Sequence, residues 1–238
     1  IQNSTLGANV KIIDSTVQNS LLHHHTSIGH ALEVDNVLMY DHSSIGHGAR
    51  VVSSILAPDA SISGGECHHS LIGPMVGFHH TSLLIATIWP FGRGNIAYGA
   101  KVGANHTGRS NDQECFIGEG VFFGLGVNVK FPTNLVGSPY SIVAAGTTLL
   151  PQRIDFPFSL ITNGKDESGG YNSIAPGWLI WANPYMIERA AMKYSSRRKS
   201  DDYSTDHLVF RRSILEMMII ARNRLKMCDT NPPTELSS

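Results

Sequence analysis

The stretches TSIGHALEVDNVLMYDH (26–42) and SSIGHGARVVSSILAPD (43–59) align one above the other when the chain is written in rows of 17. Their neighbours NVKIIDSTVQNSLLHHH (9–25) and ASISGGECHHSLIGPMV (60–76) keep the same frame. Ile28, Ile45 and Ile62 share a column, followed by Gly29, Gly46 and Ser63; Val34 and Val51 share a second column six residues on. An amphipathic helix would need a 3.6-residue beat, and a sandwich strand would alternate in twos. A beat of six, with small and turn-forming residues near its corners, describes a triangular coil instead. Each flat face points one aliphatic residue inward. Coils stacked about 4.8 Å apart pair every strand with the one above, and the aliphatic columns become a continuous core.

This pattern predicts an all-β solenoid over residues 1–152, with loop excursions near 87–95 and 104–116. It ends near SIVAAGTTLLPQ (141–152), so 153–182 is expected to be an irregular connecting segment and 183–238 an α-helical C-terminal extension. The first helix is expected over about 184–194, with Asn183 as N-cap and Pro184 at the first helical position. The second is expected over about 207–227, capped by Asp206 or Thr205. It puts Phe210, Ile214, Met217, Met218, Ala221 and Leu225 on one face, for packing on the solenoid or a neighbouring subunit.

Charged residues make up 16% of the 238 and the formal net charge is −1. That lacks the basic excess of a nucleic-acid binder. The short run Ser195 to Ser200 (SSRRKS) is followed at once by Asp201 and Asp202 and reads as a solvated linker. Cys67, Cys115 and Cys228 are scattered, with no CxxC, which argues against a disulfide framework or zinc knuckle and for a reducing compartment such as the cytoplasm. No apolar run approaches the ~18 residues of a membrane span, so no membrane partner is expected. The chain opens on Ile1 with its repeats almost immediately under way, which predicts further residues upstream.

Ten of the twelve histidines lie in the first 80 residues. In the 17-residue frame His25 stacks on His42 and His30 on His47. These pairs are either ladders of like side chains or candidate metal ligands. His79 and His80 differ: neighbours on a strand point to opposite faces, so one of them should face solvent or a cleft. They precede TIWPFGRGN (87–95), where Trp89, Phe91 and Arg93 sit among turn residues and suggest a subunit contact or a ligand cover.

The beat fails in VGANHTGRSNDQE (102–114). Val102 and Ile117 stand fifteen apart, three more than two hexads, which predicts a loop carrying some or all of Asn105 to Gln113. Its contents suit chemistry on a polar substrate. His106 can move a proton near neutral pH, and Arg109 offers a planar fork to phosphate or carboxylate. Asp112 and Glu114 could orient an imidazole or bind hydroxyls, and Asn105 could bond an amide or sugar. The alternative is a polar loop with Arg109 paired to Asp112.

SIGHGARV (44–51), KVGANH (101–106) and FIGEGVFFGLGVNV (116–129) resemble the hexapeptide repeat of left-handed parallel β-helix proteins, over about residues 4–150 with a rougher stretch at 77–95. The resemblance implies a homotrimer, with sites between subunits. It spans acyltransferases, sugar nucleotidyltransferase domains, zinc carbonic anhydrases and non-catalytic scaffolds, so fold alone does not choose among them. In the acyltransferases one histidine general base deprotonates an acceptor, and GANH at 103–106 is similar to that placement, with acyl-CoA as the implied donor. No coenzyme A signature is visible in the later coils. A narrower resemblance, carried by GFHHTSLLIA, GANHTGRSNDQE and FFGLGVNVKFP, is to an uncharacterised bacterial-type group loosely described as transferases or sugar-nucleotide-related. It implies His79, His80, Asn105, His106, Arg109, Asp112, Glu114 and Lys130 as site residues. The leading expectation is a transferase on a sugar or nucleotide-sugar with His106 as base. The alternatives are a carbonic-anhydrase-like metalloprotein on the His25–His42 and His30–His47 pairs, and a non-catalytic assembly domain.

Overall fold

The computed structural model describes residues 1–104, 114–164, 170–201 and 208–230. Short strands joined by tight corners wind into a parallel β-solenoid. On the first face nine parallel strands stack, from Lys11–Ile13 to Leu160–Asn163. The second and third faces form one sheet, because Glu33–Met39 and Arg50–Leu56 run unbroken through the corner between them. Ile28, Ile45 and Ile62 pair in register and are all but fully buried. Val34, Val51, Cys67 and Leu84 form the equivalent inward column on face two. Each coil thus contributes one apolar side chain per face to a shared core, which no single coil could bury alone.

The corners explain the histidines. Where face three turns into face one, Asn9, His25, His42 and Asp59 occupy successive coils, all at φ between 58° and 61°. At the turn from face two to face three the series is Asn3, Asn19, Asn36, Ser53 and His69, again at positive φ. Asn, Asp and His are the non-glycine residues that tolerate this left-handed region best. A second device ties the coils together from within: Val37, Ser70 and Thr87 donate their backbone N–H to Ser20, Ser54 and Ser70 Oγ on the coil before, at 3.1–3.2 Å.

Two boundaries differ from expectation. Parallel winding continues past residue 152, since Leu160–Asn163 pairs in parallel with Ile142–Val143 and Ile161 lies inward above Val143. The stretch RIDFPFSLI hides this, because Pro157 sits in the corner and leaves the strand free to pair. Asn172–Ala175 then adds in antiparallel sense and covers the last coil's open edge. The expected excursion near 87–95 amounts to one extra residue in the corner 90–94, compared with 73–76 in the coil below. Thr87–Trp89 is a strand of face three, Asn95–Ile96 opens the next strand of face one, and Trp89 is fully buried. Its indole N–H donates to the Gly118 carbonyl at 2.8 Å, so the ring fills the core in place of an aliphatic residue. Phe91 is exposed at the corner, while Arg93 is buried.

Three helices follow: α1 (Trp178–Ala182), α2 (Pro184–Arg197) and α3 (Arg212–Thr230). Asn183 caps α2 in position but without a side-chain hydrogen bond, and Pro184 stands at its start. The residues expected to cap the second helix, Thr205 and Asp206, lie outside the described residues. A second core, centred on Tyr140, Phe158, Leu179, Ile187, Val209 and Ile214, seats the helices on the late coils. Of the expected α3 face, Ile214 and Ala221 are buried, Met217 and Met218 partly so, and Leu225 is exposed. α2 therefore lies like a strap along the corner from face three to face one. Its start packs at Phe158, and just past its end Lys199 and Ser200 donate backbone N–H to Asp59 at 3.0 and 3.2 Å. Its 14 residues span ~21 Å, about the height of four coil spacings. Among the described residues no helix is long and apolar enough to cross a membrane.

Candidate functional site

The interrupted stretch leaves the solenoid at the corner from face two to face three. Lys101–Ala104 pairs with Leu83–Leu84 below and Asn128–Lys130 above, with a register shift between Val102 and Ala104. Gly103 makes the shift possible at φ 97°. A Cβ there would stand 2.4 Å from the Ile85 carbonyl oxygen, so the chain passes only as glycine. The coil resumes at Cys115–Phe116, in register with Thr87–Ile88 below and Thr133–Asn134 above. Residues 105–113 thus join two strands whose neighbours hold them in place. Asn105, His106, Arg109 and Asp112 fall among them and lie outside the described residues.

The rest of the expected set divides between two corners. Lys130 is the strand partner of Ala104, and Glu114 is the first described residue on the return, exposed. Glu114 borders a groove of about 510 Å³ on face three with Phe116, Thr133, Asn134, Gln152 and Arg153. The peptide bond between Phe131 and Pro132 at its edge is cis. Arg153 donates to Asp155 Oδ1 at 3.0 Å, and Arg224 of α3 donates to Asp155 Oδ2 at 2.6 Å. Burial works against the Asp155 charge, but these two arginines hold its carboxyl below the usual range. His79 and His80 are at the other edge of face two, on the corner that follows Gly77–Phe78. Both are exposed, and their rings meet edge-on at 6.0 Å. The lysine and glutamate therefore flank the break, and the two histidines do not.

The stacked histidines behave as ladders. His25 and His42 lie 4.7 Å apart with ring planes 2° from parallel. Imidazole lone pairs lie in the ring plane, so parallel rings aim them side by side and not at one ion about 2 Å from each. His30 and His47 are 5.0 Å apart and tilted by 37°, and His30 Nδ1 faces Asp14 at 3.5 Å. Among the described residues no three His, Cys, Asp or Glu side chains gather as a metal site.

Sequence reading passed over Glu119. It is buried between the corner and the helices, where Oε1 accepts from Tyr140 Oη at 2.6 Å, Arg93 at 3.0 Å and Arg211 at 3.1 Å. Arg211 also donates to Oε2. Burial pushes the Tyr140 phenol well above its ordinary range, and the Glu119 charge adds to this; the hydrogen bonds to Glu119 raise Arg211. Arg93 also lies 4.6 Å from the Tyr194 ring centroid, a cation–π contact that binds α2 to the cage. The available signal was one acidic residue in the glycine-flanked corner FIGEGV.

No family model matches the chain. It is similar to a protein of Treponema pallidum (strain Nichols) described as uncharacterized, with 32% identity over 140 residues, 59% of this chain. Those residues cover 19% of that protein, so the chain spans about one fifth of the relative's length.

Proposed function

We propose that the solenoid is a left-handed β-helix of the hexapeptide-repeat kind and that the chain is a transferase acting on a sugar or nucleotide-sugar. His106 takes the proton of an acceptor hydroxyl or amine, Arg109 and Lys130 hold a negative group, and Asp112 and Glu114 orient the imidazole or the substrate. An acyl thioester such as acyl-CoA is the donor class, and the assembly is a homotrimer. One observation carries the reading: the strands that flank 105–113 both stay paired with the coils below and above, so the sequence rich in His, Arg and acids joins two firmly held ends. The groove beside Glu114 offers Thr133, Asn134, Gln152 and Arg153 to a polyhydroxylated ligand.

The test is coenzyme A release from acyl-CoA in the presence of a panel of sugar and nucleotide-sugar acceptors. A turnover found there should vanish in His106→Ala while circular dichroism and oligomer size stay unchanged. Full turnover in that variant would sink the assignment, and absence of thiol release with every acceptor would remove the acyl donor.

A second reading, a non-catalytic assembly module, is favoured by the apolar side chains that α1 and α3 leave exposed, among them Trp181, Ile219 and Ile220. Light scattering of Ile219→Lys/Ile220→Lys separates the two. Loss of the oligomer without loss of turnover would assign that face to assembly and leave the transferase reading standing.

A further inference from the structure

The corner beneath α2 changes character along the solenoid. Its first left-handed positions are the permissive Asn9, His25, His42 and Asp59; further up stand Met75, Tyr140 and Phe158, at φ 57°, 56° and 58°. Bulky side chains in this region are outliers, and such positions persist only where their surroundings hold them. Packing against α2 accounts for the hold: Tyr140 and Phe158 share a core with Ile187 and are packed by Met186 and Ala190.

That packing is incomplete between the helix and face one. A narrow cleft of about 100 Å³ lies there, with Ile187 and Ala190 on the helix side and Phe122 and Ile142 on the sheet side. Its polar lining includes Asn95, Lys193 and Arg197. His79 lies beside one wall of the cleft, at Gly77. A Cβ on Gly77 would stand 3.7 Å from His79 Nε2 and 3.6 Å from Asn95 Oδ1, so both side chains turn towards the glycine that lines the cleft.

Charge in this cleft is one-sided. Among the described residues, Lys193 and Arg197 have no carboxylate within 4.0 Å. Glu119 is engaged by Arg93, Arg211 and Tyr140, and Asp59 receives the backbone of Lys199 and Ser200. Burial lowers the Lys193 ammonium from its usual range, and Arg189 and Arg197 lower it further. His79 is lowered by burial, then by His80 and Arg197. Basic groups in the last turn of a helix also serve its dipole, but that effect fades beyond the last turn and does not call for a half-buried lysine four residues from the end.

We propose that this cleft binds a small phosphorylated molecule, with its phosphate at Lys193, Arg197, His79 and Asn95 and an apolar group beneath α2. A phosphate dianion matches two cations and two further polar groups better than a carboxylate, because it offers three acceptor oxygens. The site is separate from the groove at the 105–113 break and does not depend on what that groove does.

The probes are phenyl phosphate, inorganic phosphate, benzoate and phenol, titrated calorimetrically into the full chain at low salt. Phenyl phosphate should bind in the millimolar range or tighter, inorganic phosphate should compete with it, and phenol should not bind. Lys193→Gln/Arg197→Gln should weaken phenyl phosphate by at least about tenfold. These side chains are outside the solenoid core, and an unchanged melting temperature of the free variant verifies its fold. Lack of phenyl phosphate binding at millimolar concentration, equal affinity in the double variant, or phenol binding as well as phenyl phosphate would each overturn the site. Benzoate binding as tightly as phenyl phosphate would overturn the phosphate assignment.

Discussion

Glu119→Gln is the substitution that tests the helical strap most directly. The carboxylate is 5% exposed, and its Oε1 alone accepts from Tyr140, Arg93 and Arg211. An amide keeps one acceptor oxygen, loses the charge and turns the other position into a donor facing the Arg211 guanidinium. Arg93, whose side chain is 4% exposed, then stays inside with a charge that residue 119 no longer matches. Removing one partner of a buried pair costs about 3–5 kcal/mol, because the remaining charge cannot regain its water. At roughly 2–4 °C per kcal/mol for a chain of this size, the melting temperature should fall by roughly 6–20 °C. Arg211→Met should cost less, about 1.5–3 kcal/mol, since Glu119 keeps its other two donors. Coils of a solenoid need not melt in one step, so hydrogen exchange supplies the spatial readout. Amides of α1, α2 and the coils near Tyr140 should exchange faster, while those around Ile28 and Ile45 stay protected. A Glu119→Gln protein melting within about 2 °C of the wild type would refute the view that this cage clamps the helices to the solenoid.

Gly103→Ala should destabilise the chain by more than about 1 kcal/mol in chemical denaturation, because φ 97° and the Ile85 carbonyl leave no room for a methyl; a neutral outcome would show that the register shift relaxes freely. Cys67 and Cys115 should resist iodoacetamide in the native protein and react only on unfolding, as read by peptide mass spectrometry, since burial pushes both thiols up to about 12. His79, partly desolvated and beside the charges of His80 and Arg197, titrates below its ordinary 6.5 in the folded chain. The unfolded chain therefore binds this proton more readily, so stability is full above that value and declines as the pH falls through it, levelling off below the lowered folded value. His79→Gln should remove that acid-side decline in thermal melts between pH 7 and 5; an unchanged slope would show that His79 carries none of it.

Much of the solenoid is legible in the chain because one coil repeats the next. Ile28, Ile45 and Ile62 meet in space because they share a column in the 17-residue frame. The stacking of His25 on His42 follows from the same frame, and both stand at the left-handed corner. Trp89 was misread because an aromatic between Ile88 and Pro90 resembles a loop tip, and only its place in the inward column above Ile72 shows that it is core. The last coil was missed since its prolines signal an end to pairing, whereas the strand partner of Val143 lies 18 residues on, at Ile161.

The sequence by itself therefore determined the winding: the beat of six, the inward columns and the place where both stop, at Val102. Those are local, periodic properties, and parallel stacking turns them into structure by pairing each residue with its counterpart one coil away. Tertiary structure alone decided where Glu119, Arg93 and Arg211 meet, that α2 lies along one corner, and that His79 lies against Gly77, at the corner away from 105–113. Such contacts join residues as far as 141 positions apart and follow no period. They depend on where a returning helix finds apolar cover and partners for buried charge, which a row-by-row reading does not contain.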